Sequence, residues 1–230
     1  MDMRLSIDRR FRGPVSSGNG GYVCGLVAAH MQAPVVEVTL RKPPPLEVPL
    51  EIVPGDGGAR LVEGDETVAE GVPAPSAMEG SVAVPPVDVA EARAASAAYP
   101  GLAEHPFPEC FVCGPLREAG DGMRLFPGRL DGERTACLWT VSEDDAGDVR
   151  RVWAGLDCPG GWTAPIEGRP MVLGRMAARI EATPSAGEVC VVMGQLLGGE
   201  GRKTWTATTI YSAGGHELGR ALATWITLPT

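Results

Sequence analysis

The sequence is short of positive charge, of aromatic rings and of long apolar runs. Only two of its 20 basic residues are lysines, Lys42 and Lys203, and the formal net charge is −9. A nucleic-acid binder needs a basic face to replace condensed counterions, so this balance excludes a general nucleic-acid partner. It also disfavours attachment to anionic membranes. No apolar stretch reaches the roughly 18 residues of a spanning helix. The start, Met1-Asp2-Met3-Arg4-Leu5-Ser6-Ile7, lacks the apolar core of a signal peptide. The expectation is a cytoplasmic chain whose six cysteines stay reduced.

Other absences narrow the chemistry. There is no G-x-S-x-G elbow, and His30, His105 and His216 lie in unlike contexts, so a nucleophilic triad has no support. Gly18-x-Gly20-Gly21 lacks the preceding strand and full spacing of a dinucleotide fingerprint. Aromatics make up 5% of a chain with 31 glycines and 21 prolines, which points to many turns and short strands.

What is present repeats itself. Gly20-Gly21-Tyr22 enters the helix-compatible run Val23–Met31, and Gly160-Gly161-Trp162 follows Val152–Pro159. Each glycine pair precedes two alternating runs separated by a proline-containing turn: residues 35–41 and 46–53, then residues 171–181 and 188–197. Each half then closes on a glycine-marked hairpin, residues 59–63 with 66–70 and residues 204–211 with 217–226. A leading hairpin is expected at Met123–Pro127 and Thr135–Thr140, with room for a short counterpart near Leu5–Phe11. Between the halves lies a Pro/Ala-rich connector, in which Val87–Tyr99 predicts a helix stopped by Pro100-Gly101. The expected division is therefore residues 1–72, a strap over 73–108, and residues 109–230.

A glycine-entered helix followed by four meandering strands resembles the hotdog fold of the thioesterase-like superfamily. Cys110-Phe111-Val112-Cys113-Gly114-Pro115, leading to Gly120-Asp121-Gly122-Met123-Arg124-Leu125, is similar to the cysteine-glycine-proline loop that opens many of its small members. The two glycine pairs resemble those with which that superfamily begins its central helix. The resemblance implies an α+β double hotdog: two antiparallel sheets, each around a central helix, packed as an intrachain pseudo-dimer. It implies hydrolysis of an acyl thioester, most simply acyl-CoA, with further association into a homodimer open. A non-catalytic acyl-CoA binder is the alternative, and a hotdog dehydratase a third reading that lacks a convincing His–acid pair.

The resemblance also places the site at the helix entrances. Free N–H groups there can hold a thioester carbonyl oxygen and its oxyanion, with Gly20, Gly21, Tyr22, Gly160, Gly161 and Trp162 as substrate-binding residues. Gly-Gly can equally serve only to let helix and sheet approach closely. The superfamily's thioesterases usually carry an Asp or Glu inside the central helix, and the first half has none there. The candidates for general base are Asp157, otherwise an N-cap, and Glu167, otherwise a solvated loop residue near Pro165 and Gly168. Asn19 can orient water or polarise the carbonyl. Arg202 and Lys203 can grip coenzyme A phosphates, or simply sit in water. Cys110-x-x-Cys113 admits zinc, with His105 and Cys158 able to complete a set. One CxxC pair is thin evidence, so packed thiols beside a turn are the plainer reading, and no cofactor beyond the coenzyme A of a substrate is expected.

Overall fold

The computed structural model describes residues 4–229. Met1-Asp2-Met3, part of the start read above for a signal segment, and Thr230 lie outside the described residues. The first half comprises β1 (Arg4–Leu5), α1 (Gly20–Ala28), β2 (Val35–Leu40), β3 (Leu50–Gly55), β4 (Gly58–Glu63) and β5 (Glu66–Pro73). Then come α2 (Val89–Ala97), β6 (Gly128–Arg129), β7 (Arg134–Thr140), α3 (Val149–Gly155) and α4 (Cys158–Gly161). The chain closes with β8 (Met171–Ile180), β9 (Val189–Glu200), β10 (Lys203–Tyr211) and β11 (Glu217–Thr227). No helix among the described residues is long and apolar enough to cross a membrane.

The eleven strands among the described residues join in one sheet, in the order β1-β3-β4-β5-β2-β8-β11-β10-β9-β7-β6. The two expected sheets are thus continuous. The seam is antiparallel β2–β8, with Val36 opposite Ala178 and Val38 opposite Met176. Outward from the seam the same meander runs both ways: β5, β4, β3, β1 on one side and β11, β10, β9, β7 on the other. The closing hairpins β4–β5 and β10–β11 fall where alternation and turn glycines place them.

The proline-turn pairs are not hairpins. β2 pairs with β5 and β8, whereas β3 pairs with β1 and β4. Pro43-Pro44-Pro45 has no N–H to give a ladder, and the chain there leaves the sheet to bond loops instead, Pro44 accepting from the Gly18 N–H and Glu47 donating to the Ile7 carbonyl. Leu46–Pro49 is accordingly outside the strand. β8 and β9 are likewise far apart in the sheet. In the leading hairpin, β7 pairs with β6 rather than with Met123–Pro127, whose backbone instead bonds Phe111 and Val112 through Met123 and Leu125.

Alternation in β7 and β9 separates two apolar layers. Cys137, Trp139, Cys190 and Val192 face the core containing α1 and α3; Ala136, Val191 and Met193 face the opposite side. That outer side is covered by the connector. Its helix is two residues shorter at each end than expected, capped by Asp88 accepting from the Glu91 N–H, and buries Ala92 and Ala95 against the sheet. Val84 is anchored twice, its N–H to Thr209 Oγ1 at 3.0 Å and its carbonyl to the Tyr211 hydroxyl at 2.7 Å. The connector is therefore anchored to the sheet at intervals, at Val84 and through α2.

On the inner side α1 lies against α3 with almost no space between. A Cβ on Gly25 would stand 2.8 Å from Arg150 Cα, and one on Gly21 would stand 2.7 Å from the Trp153 carbonyl oxygen. Beside this contact the Arg151 guanidinium sits 4.5 Å from the Phe11 ring, 4.9 Å from Phe111 and 5.5 Å from Tyr22, with Asp145 as its buried counter-charge at 3.2 Å. Gly25→Ala should lower the urea midpoint. Overpacking against backbone costs about 1–3 kcal/mol and outweighs a helix-propensity gain of about 1 kcal/mol. Gly168→Ala, with nothing within 4 Å of its added Cβ, should leave the midpoint unchanged.

Candidate functional site

The inner face of the seam carries a cavity of about 620 Å³. Its walls are mostly apolar, from Leu40 of β2, Met171 and Leu173 of β8, Trp225 of β11, and Phe107 and Ile166 from loops. Alternation gives the reason: Met171 and Leu173, two apart on β8, share its inward face. Its polar end is built where α1 begins and the α3–α4 break occurs.

Asn19 is the N-cap of α1. Its Oδ1 accepts from the Tyr22 N–H at 2.9 Å, and its Nδ2 donates to Asp157 Oδ2 at 2.9 Å. The Gly21 N–H donates to the same Asp157 oxygen at 3.0 Å. Asp157 separates α3 from α4 and stands at the N-cap position of α4, but its side chain makes no cap hydrogen bond there. Its other oxygen, Oδ1, is buried and has no hydrogen-bond partner among the described residues. Burial pushes the Asp157 carboxyl up to about 7, opposed by the Gly21 N–H and Asn19 bonds. Gly20 also lines the cavity, and its N–H, unlike those of Gly21 and Tyr22, is unpaired among the described residues.

Three thiols adjoin this group. Cys110 Sγ and Cys158 Sγ are 3.8 Å apart, and Cys113 completes a cluster whose sulfurs all lie within 4.8 Å of one another. The neighbouring Cys113 and Cys158 thiols draw the Cys110 thiol well below its usual range. His105 Nε2 lies 3.4 Å from Cys113 Sγ, and Tyr99 donates to the Cys113 carbonyl at 3.3 Å. Both residues come from the connector, which thus reaches the cavity end of the core.

The remaining sequence candidates divide. Trp162 and Arg202 line the cavity. Trp162 packs on Tyr99 at 4.6 Å between ring centroids, and Arg202 Nε donates to the Thr227 carbonyl at 2.9 Å. Tyr22 does not line it, because its ring is stacked on Phe11 at 4.2 Å beneath Arg151. Gly160 and Gly161 do not line it either. Added Cβ atoms would meet Thr208 at 2.6 Å and Trp225 at 2.7 Å, so this pair serves helix–sheet packing. Lys203 stands outside, bordering a shallow depression with Trp205. Glu167 is also outside. Arg129 holds both its oxygens at 2.8 and 2.9 Å, and those hydrogen bonds keep its carboxyl below the usual range. The sequence reading missed Leu40, Met171, Leu173 and Trp225. Their alternation marked an inward face but not which chamber that face lines.

Comparison with solved structures decides the fold. A conserved protein of unknown function with a hot dog fold from Alicyclobacillus acidocaldarius aligns over 99% of this chain and 93% of its own, with a TM-score of 0.65 at 9% identity. The chain has the hotdog fold. A provisionally named thioesterase from Novosphingobium aromaticivorans covers 98% of this chain and 95% of its own at TM-score 0.66 and 11% identity. The TesB protein of Mycobacterium avium subspecies paratuberculosis covers 94% and 90% at TM-score 0.61 and 12% identity. No protein-family model and no curated protein matches the sequence. In this hotdog chain no carboxylate lies on α1, and the buried acid comes instead from the break that follows α3. Asn19 thus serves its own helix and Asp157 at once. Asn19→Ala should lower stability by about 2–3 kcal/mol, combining a lost cap with a buried carboxylate oxygen deprived of a donor; chemical denaturation measures it.

Proposed function

We propose that this chain is a tandem hotdog thioesterase that hydrolyses an acyl thioester, acyl-CoA by preference, at one composite site. The mirrored strand order either side of β2–β8 supports reading it as two fused hotdog units. The observation that carries the function is Asp157: a buried carboxylate lining the apolar cavity, steered by Asn19 and Gly21 from the other half, with one buried oxygen unpartnered among the described residues. The cavity volume falls within the range of about 300–1,000 Å³ usual for small-molecule sites.

In this reading the acyl chain lies against Leu40, Met171, Leu173 and Trp225. Asp157 Oδ1 takes a proton from water as the water oxygen bonds to the thioester carbonyl carbon. The oxyanion receives the Gly20 N–H at the positive end of α1, where its charge is favoured. Collapse breaks the carbon–sulfur bond. The departing thiolate takes the proton from Asp157, leaving a carboxylic acid and a free thiol. Arg202 suits the phosphates of the carrier. Arg41 and Lys42 also line the cavity, but they are paired with Glu70, Glu63 and Glu66, whereas Arg202 has no carboxylate partner among the described residues.

Hydrolysis across a series of acyl-CoA lengths tests this. Asp157→Asn should lower kcat/KM by about 10²–10⁴-fold, the span of a lost general base. Glu167→Gln should stay close to wild type. Saturable acyl-CoA binding without turnover by the wild-type chain would instead establish the non-catalytic binder.

A further inference from the structure

We propose that Cys110, Cys113 and Cys158 form a binding site for one thiophilic divalent cation, Zn²⁺ by preference, with its fourth position open to the cavity. The claim goes beyond the thioesterase reading and does not depend on it.

Spacing is the first argument. Zn–S bonds of about 2.3 Å at tetrahedral angles place sulfurs roughly 3.8 Å apart. Cys110 and Cys158 have that separation, 3.8 Å, although 47 residues of chain lie between them, and Cys113 Sγ is within 4.8 Å of both. Three thiols packed merely as small apolar groups need not converge on one point. The other cysteines illustrate this: Cys24, Cys137 and Cys190 are buried and take no part in such a cluster.

The local turn is the second argument. Cys110 to Gly114 is a tight loop closed by the Gly114 N–H on the Cys110 carbonyl at 2.9 Å. Gly114 has no room for a side chain, since a Cβ would stand 2.5 Å from the Cys110 backbone. The loop brings the Cys113 sulfur within 4.8 Å of that of Cys110. Asn19 Nδ2 adds weak contacts to Cys110 and Cys158, at 3.9 and 4.0 Å. Donors converging on sulfur are what a metal-bound thiolate requires from its surroundings.

The fourth ligand follows from the state of His105. Its Nδ1 accepts the Phe107 N–H at 2.9 Å, so in the neutral ring Nε2 carries the proton. That Nε2–H faces Cys113 Sγ at 3.4 Å and supports the thiolate as a donor, which leaves the ring unable to ligate through Nε2. All three cysteines line the cavity, so the remaining position belongs to water or to a cavity ligand. Three protein ligands with one open position is the arrangement of reactive rather than purely structural zinc.

The experiment is metal analysis of the full chain purified without chelator, followed by Co²⁺ exchange. Equimolar zinc is expected, with an intense thiolate-to-cobalt charge-transfer band after exchange. Cys158→Ser and Cys113→Ser should each lose the metal, while His105→Ala and Cys137→Ala retain it. Because a serine variant can lose metal by misfolding, Co²⁺ is also titrated into metal-stripped wild-type protein that circular dichroism shows to be folded. Absence of the charge-transfer band there, or zinc that survives Cys158→Ser, would overturn the proposal. So would loss of metal from a folded His105→Ala, which would make the imidazole a ligand. Each readout needs no substrate, so an inactive thioesterase that holds zinc would refute the function and leave this site standing.

Discussion

The arrangement rests on how closely α1 approaches α3. Gly21 and Gly25, one helical turn apart, remove two side chains from the face that meets Trp153 and Arg150. Only at that distance can Asp157, just past the end of α3, hydrogen-bond to the Gly21 N–H and to the cap residue Asn19. Widening the gap by a methyl group would separate the carboxylate from the helix start it serves. The contact that joins the two halves therefore also builds the polar end of the cavity.

A second contact keeps that approach in register. Arg151 is charged, 5% exposed and shared by three aromatic rings, two from the first half and one from the loop after the connector. A buried guanidinium is costly unless compensated, and here Asp145 and Asp148 offset its burial only in part, since Nε and one terminal nitrogen have no hydrogen-bond partner among the described residues. An apolar side chain could fill the same volume. It would not demand rings on three sides and an acid on the fourth, so the ion pair constrains orientation more than it adds stability. The connector works in the same sense, covering the outer layer through Val84 and α2 and then supplying Tyr99 and His105 to the cysteine cluster.

Much of the fold could be read from local pattern, because strand alternation and glycine punctuation are local signals. β2, β4, β5, β10 and β11 fall close to their expected bounds for that reason. Strand pairing is not local, and the runs flanking Pro43-Pro44-Pro45 read as neighbours although the sheet sets them apart. The site divides along the same line. Asn19 and Asp157 were legible as residues placed beside glycine-marked helix starts. Glu167 carried an equal sequence signal, and the fold sets it outside the cavity, paired with Arg129. Cys158 was named beside His105 as a possible completion of the Cys110–Cys113 pair, and the fold brings its thiol to Cys110.

The two Gly-Gly-aromatic stretches differ in what stands beside them. Three residues ahead of each pair stand Ser17 and Asp157, so the carboxylate occurs once. The helix starts differ as well. Gly20 borders the cavity at the head of a nine-residue helix, whereas Gly160 and Gly161 sit in a four-residue helix pressed onto Thr206, Thr208 and Trp225. A helix that short sums few peptide dipoles and has no open face at its start. The second half therefore gives its acid and its thiols to the first half's helix end, and neither half alone contains the cap, the carboxylate and the cysteine cluster together.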